Sequence, residues 1–287
     1  MGMIYYSNKP LSANEYVLVA KNHYALRDEW KQMSMQSRHF DICTIDASRH
    51  KLLMFTGQSA CAIYNIPRLD KYEMRSNCIS EKNRSSSEMI RWHYGSLDPD
   101  AKIINGLLVA SPVRTVLDLA KNDSPKSLLV SINHCLYNHL FTLEDFEFAI
   151  ENRPGMKKRK LLKTLTKYVN EKCQSPLETI ALVELHNSGF VIPQQQITFF
   201  DKHEFVACVD MFWELRNRRI VLELDGKNKY TDDEVLYKEK LREDRLRRLG
   251  LEVMRAGWVD VNDGTFVQML KDNNIPIRRY RSIKIPR

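Results

Sequence analysis

The stretch RRIVLELDGKNKY, Arg218–Tyr230, combines a buried strand with acidic residues. Its apolar run IVL, at 220–222, is typical of a strand that is covered on both faces. Glu223 and Asp225 follow directly, and because side chains alternate along a strand, both should point to the same side of the sheet. The stretch therefore predicts a buried strand that presents two carboxylates on one face.

The segments around this strand predict a regular series of helices and strands. The stretch SPLETIALVELHNSG, 175–189, predicts an amphipathic helix that ends at Gly189. The elements that follow are, in chain order, strands at Gln196–Phe200 and 205–215, the strand described above, a charged helix at Glu234–Leu249 and a strand at 251–255. The short link RNR, 216–218, has a length that joins two strands in a β-hairpin.

The first half of the chain predicts a mixed unit that is largely helical. The clearest helix lies in SPVRTVLDLAKND, with Ser111 as N-cap and Pro112 at the first helical position. Another helix should begin at Thr142, where Asp145 can bond back to the cap. Further elements are a short helix in GQSACAIYNIP, a helix in SLLVSINHCLYNHL and a strand in EMIRWHY. The expected fold class is therefore α/β (α+β).

The length of 287 residues favours two compact domains. The segment RPGMKKRK, 153–160, combines proline, glycine and charge, which is typical of a place where packing between units is interrupted. A helix at Leu161–Lys172 could bridge the two halves. We therefore place the domains at 1–170 and 171–287, with a boundary accurate to about ten residues.

The charge of the chain indicates an anionic partner. Lysine and arginine number 44 against 36 acidic residues, a formal charge of +8. The segment Lys271–Arg287 holds six basic residues and one acid, and KKRK at 157–160 forms a second basic cluster. The alternative is that these runs are solvated faces and a loose tail.

The cysteines and the hydropathy pattern indicate a soluble protein of the cytoplasm. The six cysteines are scattered and form no C-x-x-C pair, which argues against a zinc knuckle and against a secreted disulfide framework. The N-terminus has no signal-peptide pattern, and no apolar run approaches the length of a membrane span. We therefore expect no membrane association.

The hairpin would bring a third acid, Asp210, to the two carboxylates of the central strand. A two-residue turn at 217–218 pairs Asp210 with Asp225, whereas a turn at 216–217 pairs it with Glu223. Two like charges about 4 Å apart repel by roughly 4 kcal/mol at an effective dielectric constant of 20. Either a cation must therefore lie there, or one acid must be protonated.

Two kinds of cation could neutralise these acids. Carboxylate oxygens suit Mg²⁺ or Mn²⁺, with Asp210, Glu223 and Asp225 as candidate ligands, and such an ion stabilises the negative charge of a phosphodiester under attack. The alternative is an ion-pair network that involves the nearby arginines Arg216, Arg218 and Arg219. A fourth acid, Glu178, lies three residues after Ser175 and could simply bond to the Ser175 amide in a capping box.

The second half resembles the PD-(D/E)xK nuclease superfamily, specifically the domain of very-short-patch-repair endonucleases. The resemblance covers about Ser175–Val261 and rests on SPLE, PQQQ, VDMFW, VLELDGKNKY and EKLREDRLRRLGLEVMR, in that order. It implies a mixed sheet flanked by helices and a metal-dependent site, in which Glu178 is the helical acid, Asp210 the strand acid and Glu223 the acid of E-x-K.

The chain departs from this superfamily at one position, because Asp225 stands where the lysine of E-x-K would be. Lys227, Lys229 or Lys240 could supply that positive charge from elsewhere. Lys240 is the preferred candidate, because it lies on the helix whose sequence resembles that of the family. We therefore take Glu178, Asp210, Glu223, Asp225 and Lys240 as the candidate catalytic residues.

The first half is similar to the region that precedes such a domain in AbiEi-like proteins of toxin–antitoxin and phage-defence loci. GQSACAIYNIP and GLLVASPVRTVLDLAK carry this likeness. Those proteins commonly begin with a winged helix-turn-helix, and the residues before Phe40 lack its two-helix-and-wing pattern, which weighs against an antitoxin.

Three functions remain open from the sequence. The first is a Mg²⁺- or Mn²⁺-dependent DNA endonuclease of phage defence or DNA repair. Its candidate nucleic-acid contacts are Lys227, Lys229, Arg245, Arg278, Arg279 and Arg281. The second is a DNA-binding regulator or antitoxin with the same fold and a cognate toxin as partner. The third is a structural or protein-binding module. The oligomeric state is open.

Overall fold

The structure is a computed structural model that describes residues 3–50, 52–156, 158–226, 233–278 and 285, with only the backbone described at 233–236. The chain divides into two compact units, Met1–Lys167 and Tyr168–Arg287, close to the boundary expected at residue 170. Both units combine helices with β-sheets, so the predicted α/β (α+β) class is confirmed.

The first unit begins with a small antiparallel sheet that precedes two helices. Its strands, in the order β1-β3-β2, are β1 (Ile4–Tyr6), β2 (Tyr16–Ala20) and β3 (His23–Leu26). The helices α1 (Arg27–Gln32) and α2 (Met35–Arg49) follow. In the described residues before Phe40 the sheet therefore comes first, an order unlike that of a helix-turn-helix followed by a wing.

A five-stranded mixed sheet forms the centre of the first unit. Its order is β6-β5-β4-β8-β7, with strands β4 (Met54–Phe55), β5 (Ser76–Ser80), β6 (Ile90–Tyr94), β7 (Lys102–Ile104) and β8 (Leu107–Val109). The short central strand β4 is paired on both sides, and Phe55, Cys78 and Val109 are fully buried in one cluster. Strand β6 confirms the strand predicted in EMIRWHY.

The helices of the first unit follow the local signals of the sequence. They are α3 (Gly57–Tyr64), α4 (Pro112–Leu119), α5 (Pro125–Tyr137), α6 (Leu143–Asn152) and α7 (Arg159–Leu165). The Ser111 hydroxyl accepts the Arg114 amide at the start of α4, and Thr142 and Asp145 form the predicted capping box of α6. These hydroxyl and carboxyl groups satisfy amides that have no partner inside the helix.

The bridging helix predicted at Leu161–Lys172 is wrong in extent. Helix α7 ends at Leu165 and is followed by a 3₁₀ turn, Thr166–Tyr168. The backbone then turns at Asn170, whose side chain accepts the Lys172 amide at 2.9 Å. Asparagine competes in this way with helical hydrogen bonding, so the local side chain overrides the apolar spacing.

The second unit is a four-stranded mixed sheet flanked by helices. The strands β9 (Gln194–Asp201), β10 (Glu204–Leu215), β11 (Arg218–Asp225) and β12 (Glu252–Gly257) lie in the order β12-β11-β10-β9. The helices are α8 (Pro176–Ser188), α9 (Asp233–Arg248), α10 (Trp258–Asp263) and α11 (Thr265–Asp272). Strand β11 is antiparallel to β10 and parallel to β12, and α9 makes the crossover between β11 and β12.

Strand β11 is the rigid centre of the second unit. Ile220, Val221 and Leu222 are fully buried, as their position between β10 and β12 requires. Leu246 of α9 packs into the same core as Val221, which fixes the rotation of the helix against the sheet. The acids that follow Leu222 are therefore held on a strand with little freedom to move. Among the described helices, none has both the length and the apolar character needed to span a bilayer.

Candidate active site

The hairpin of β10 and β11 brings Asp210 and Glu223 together. Leu215 pairs with Arg218 across a two-residue turn, and the ladder runs to Met211 opposite Leu222, so Asp210 and Glu223 occupy the next facing positions. This is the second of the two registers that the sequence left open. The Asp210 carboxylate accepts the Leu224 amide at 2.7 Å, which orients it across the strand pair.

The helical acid Glu178 reaches the same region from α8. The Ser175 hydroxyl accepts the Glu178 amide at 3.2 Å, so the predicted cap of the helix is present. The carboxylate does not bond to the Ser175 amide, however, and the capping-box explanation of Glu178 is wrong in this respect. It accepts instead the Gln174 amide at 3.1 Å and the side-chain amide of Gln196 at 3.0 Å.

Gln196 connects the helical acid to the strand acid. Its Nε2 lies 3.0 Å from Glu178 Oε2 and 3.4 Å from Asp210 Oδ1. Its Oε1 accepts the Cys208 thiol at 3.4 Å, which fixes the orientation of the amide. The backbone of Gln196 has φ +52°, a conformation that re-aims the side chain from strand β9. The sequence showed Gln196 only as part of PQQQ, and this bridging role was missed.

The acids of the site are poorly compensated by positive charge. Burial raises the pKa of Glu223 to about 7, and the Asp210 charge acts in the same direction, against Arg242 and Arg255. Burial also raises the pKa values of Asp210 and Glu178 above their ordinary values. The Glu223 Oε1 atom is buried and has no hydrogen-bond partner among the described residues. A carboxylate oxygen in this position is an unused ligand atom.

Asp225 lies at the open end of the site. Its side chain is 40% exposed, and its Oδ2 is 3.5 Å from the Arg255 guanidinium. The Asp225 charge raises the pKa of Asp210, so the two carboxylates lie within electrostatic reach of each other. Asp225 also lines an open cleft with Gly226, Trp258 and Asp260, which gives this end of the site access to solvent.

Among the described residues, the basic side chain that contacts Glu223 is Arg242 and not Lys240. The Arg242 Nη2 atom is 3.4 Å from Glu223 Oε2 and 3.2 Å from Glu239 Oε2. Lys240, the lysine favoured by the sequence, is exposed on the same helix. Residues two apart on a helix are separated by about 200°, so Lys240 cannot share the face of Arg242. The catalytic role of Lys240 therefore stays a prediction, while Arg242 is the side chain of this helix that contacts Glu223.

Two of the three arginines proposed to neutralise the acids, Arg218 and Arg219, have other partners. Arg218 forms an ion pair with Glu252 and donates to the Asn273 carbonyl at 2.7 Å. The Arg219 guanidinium lies over the rings of Phe199 and Phe212, at 5.7 and 5.9 Å from their centroids. An arginine network does exist, but it is built from Arg242 and Arg255, on α9 and β12.

The three predicted metal ligands do not converge on one point. Among the described residues, no group of three or more His, Cys, Asp or Glu side chains is placed to hold a metal ion. Glu223 and Asp225 lie two residues apart, a separation of roughly 6.6 Å along a strand, and Asp225 turns toward Arg255. Of the three, Asp210 and Glu223 occupy facing positions on adjacent strands.

The predicted nucleic-acid contacts have varied positions. Arg245 lies 3.4 Å from Glu204 in an ion pair. Arg278 donates to the His186 carbonyl at 3.3 Å, near the C-terminal end of α8 and roughly 12 Å along the helix from Glu178. The remaining four, Lys227, Lys229, Arg279 and Arg281, lie outside the described residues.

Comparison with known proteins gives no relative for this chain, since no family model, curated protein or solved structure matches it. The site is therefore defined by its own geometry. It consists of three buried or half-buried carboxylates, two of which, Glu178 and Asp210, are linked by Gln196, with two arginines at its edge.

Proposed function

We propose that this protein is a DNA endonuclease that requires Mg²⁺ or Mn²⁺. The observation that carries the proposal is the pairing of Asp210 and Glu223 on adjacent strands with a Glu223 oxygen that is buried and unbonded. Hard divalent cations prefer such carboxylate oxygens and complete their shell with water and phosphate oxygens. The resemblance of the second half to PD-(D/E)xK nucleases supports the same assignment.

Asp210 and Glu223 would hold the cation in this proposal. Bound there, a divalent ion supplies Lewis-acid stabilisation of the negative charge that develops on a phosphodiester. Leu224 and Gln196 hold Asp210 in place, and Gln196 connects it to Glu178. The buried strand β11 keeps these groups preorganised, as a phosphoryl-transfer site requires.

Arg242 takes the part that the sequence assigned to Lys240. It is the basic side chain of α9 that contacts Glu223, and a guanidinium can bind two phosphate oxygens at once. Displaced from Glu223 by the cation, Arg242 would be free to pair with a scissile phosphate. Asp225, exposed beside the open cleft, would face the solvent from which the attacking water enters.

A second function is favoured by the same arginines. Arg242 and Arg255 already lie within 3.5 Å of Glu223 and Asp225, so guanidinium groups partly occupy the place of a metal ion. In that arrangement the fold would bind DNA without cutting it, as a regulator or an antitoxin with a cognate toxin as partner. The basic residues would then supply affinity without sequence preference.

Plasmid cleavage separates these functions. Supercoiled plasmid is incubated with the wild-type chain and Mg²⁺ or Mn²⁺, beside Asp210→Asn and Glu223→Gln. The nuclease proposal expects nicking by the wild type and a loss of at least about a hundredfold in both variants, the usual scale for removing a group that stabilises transition-state charge. Equal nicking by all three proteins would assign the activity to a contaminant. Salt-sensitive DNA binding without nicking would favour the regulator.

Two of the basic residues of α9, Arg242 and Lys240, provide a matched pair. Arg242→Gln and Lys240→Gln remove one positive charge each from the same helix. The proposal expects a strong loss of nicking for Arg242→Gln and little change for Lys240→Gln, because only Arg242 contacts the acids. The opposite result would restore Lys240 to the role that the sequence suggested.

A further inference from the structure

The first unit contains a basic cavity that is separate from the acidic site. The cavity has a volume of about 620 Å³ and lies between the end of strand β6, helix α4 and a segment that contributes residues 153–156 and Lys158. Its lining includes four basic side chains, Arg114, Lys121, Arg153 and Lys158. No acidic side chain is among its described lining residues. Small-molecule sites commonly have volumes of about 300–1,000 Å³.

One buried carboxylate organises three of these cations. Asp118, a buried residue of α4, has its oxygens 2.9 Å from Arg114, 2.5 Å from Arg153 and 3.5 Å from Lys121, three basic residues that line the cavity. It also accepts the Thr56 hydroxyl at 2.6 Å. Burial acts to raise the pKa of Asp118, but Arg153 and Arg114 hold it at about 2. A single negative charge therefore opposes three positive charges.

The remaining positive charge is available to a ligand. The group of Arg114, Lys121, Arg153 and Asp118 has a net charge of +2, and Lys158 adds a further positive charge at the rim. A phosphate monoester carries about −1.5 to −2 at neutral pH, which matches this surplus. Arg153 also has one buried nitrogen, Nη1, without a hydrogen-bond partner in the described part of the chain. The charge pattern favours a dianion over a single carboxylate.

The other surfaces of the cavity suit a flat apolar group. Leu117 and Ala120 are buried in its wall, and Met156 lies in the segment opposite. Tyr94 lines the same cavity, and 73% of its surface is exposed. Exposed aromatic rings next to basic side chains are the combination that stacks on nucleobases and binds their phosphates.

We propose that this cavity binds a nucleotide, with the phosphate on Arg114, Lys121 and Arg153 and the base against Tyr94. The same chemistry occurs in a free mononucleotide and in the 5′-phosphorylated end of a nucleic-acid strand. The proposal is independent of the nuclease proposal, because its residues all lie in the first unit.

Isothermal titration calorimetry of the full-length protein tests the proposal. The ligands are the four nucleoside 5′-monophosphates, the corresponding nucleosides and inorganic phosphate, with EDTA present so that metal-dependent cleavage does not contribute. We expect at least one monophosphate to bind at least about tenfold more tightly than its nucleoside and than inorganic phosphate, a difference of about 1.4 kcal/mol. Absence of binding by every mononucleotide at millimolar concentration, together with absence of binding by the 5′-phosphorylated strand described next, would overturn the proposal.

A second pair of ligands identifies the source of the nucleotide. A tetranucleotide with a 5′-phosphate is compared with the same tetranucleotide carrying a 5′-hydroxyl. Tighter binding of the phosphorylated strand than of any mononucleotide assigns the cavity to strand ends. Tighter binding of a mononucleotide assigns it to a free nucleotide. If neither the mononucleotides nor the phosphorylated strand binds, the proposal fails for both sources.

Variants connect the binding to the cavity. Lys121→Gln combined with Lys158→Gln, and separately Tyr94→Ala, should each weaken nucleotide binding at least about tenfold. These side chains are exposed, and Asp118 keeps its two closer partners, Arg114 and Arg153, when Lys121 is changed. Changing Arg114 or Arg153 would instead remove one of those close ion pairs from a buried carboxylate. Lys102→Gln, an exposed lysine on β7 outside the cavity, is the matched control and should bind like the wild type. Unchanged affinity in both cavity variants would place the ligand elsewhere.

Discussion

Replacing Glu223 with glutamine should stabilise the metal-free protein at alkaline pH. Burial raises the pKa of this carboxyl to about 7 in the folded protein, against an ordinary value of 4.5. A raised pKa means that the folded state disfavours the ionised form. The protonated side chain therefore contributes stability that is fully present below pH 4.5 and is lost as the pH rises through 7.

The size of the effect follows from the two pKa values. Each pKa unit corresponds to about 1.4 kcal/mol, so ionised Glu223 destabilises the fold by roughly 3 kcal/mol at pH 8 and by less than about 1 kcal/mol at pH 5. Glutamine has nearly the same shape and no charge. Arg242 keeps Glu239 as a partner at 3.2 Å in the variant, so little of the gain should be lost there.

Urea unfolding of both proteins at pH 5 and pH 8, with EDTA present, measures this difference. The free energy of unfolding of Glu223→Gln should exceed that of the wild type by about 3 kcal/mol at pH 8 and by less than about 1 kcal/mol at pH 5. Glu204→Gln is the control, because this side chain is 81% exposed and its ion pair with Arg245 is screened by solvent, so the change should have little effect at either pH. Equal pH dependence of wild type and Glu223→Gln would refute the reasoning.

Two further predictions concern the acidic site and the first unit. Mg²⁺ or Mn²⁺ should raise the thermal unfolding midpoint of the wild type in a concentration-dependent way, because the ion binds the folded state. The midpoint of Asp210→Asn should not rise. Scanning calorimetry at pH 8 measures both midpoints, and an equal rise in the two proteins would mean that the ion binds elsewhere. Asp118→Asn should lower the free energy of unfolding by about 2 kcal/mol at pH 7, because the pKa of Asp118 is held at about 2 against an ordinary 3.8. The stability that ionised Asp118 contributes is present above pH 3.8 and is lost as the pH falls through 2. In urea unfolding at pH 3, the difference in unfolding free energy between wild type and variant should therefore be roughly half as large as at pH 7. The same difference at both pH values would contradict the ion-pair explanation.

The parts of the fold that sequence could predict are those set by neighbouring residues. Hydroxyl caps at Ser111 and Ser175 and the box of Thr142 with Asp145 mark helix starts correctly, since each depends on residues within one turn. Gly189 ends α8 with φ +79°, which glycine adopts without strain. The alternation of side chains along the two strands and the short turn between them placed Glu223 opposite Asp210 in one of the two hairpin registers that the sequence allowed.

The parts that sequence could not predict depend on contacts between distant elements. The face that α9 turns to the sheet is set by Leu246, which is buried, whereas Leu241 on the same helix is 42% exposed. At about 100° per residue, Arg242 lies roughly 40° from Leu246 and Lys240 roughly 120° away. Charge spacing along a helix does not reveal this rotation, because packing against the core decides it.

The partner of Glu178 illustrates the same limit within the site. A capping box is the expected arrangement for Ser175 followed by a glutamate three residues later. The Glu178 carboxylate turns instead to Gln196, eighteen positions along the chain, and through it approaches Asp210. The Glu178 carboxylate therefore bonds to a side chain on strand β9 instead of to its own helix cap. The position of that side chain depends on the sheet. Only its place in PQQQ could have drawn attention to Gln196.

The bonding of Glu223 favours a site over a structural ion pair. An acid retained for stability alone would be expected to have both oxygens bonded, because an unpaired buried polar atom costs about 1–3 kcal/mol. Glu223 has Oε2 at 3.4 Å from Arg242, while Oε1 is buried without a partner in the described chain. Both oxygens of the neighbouring Asp210 accept hydrogen bonds, from the Leu224 amide and from the Gln196 side chain. Asp210 therefore does not donate the hydrogen bond that Glu223 Oε1 lacks. The fold therefore maintains an uncompensated oxygen at a cost that a bound divalent cation would remove.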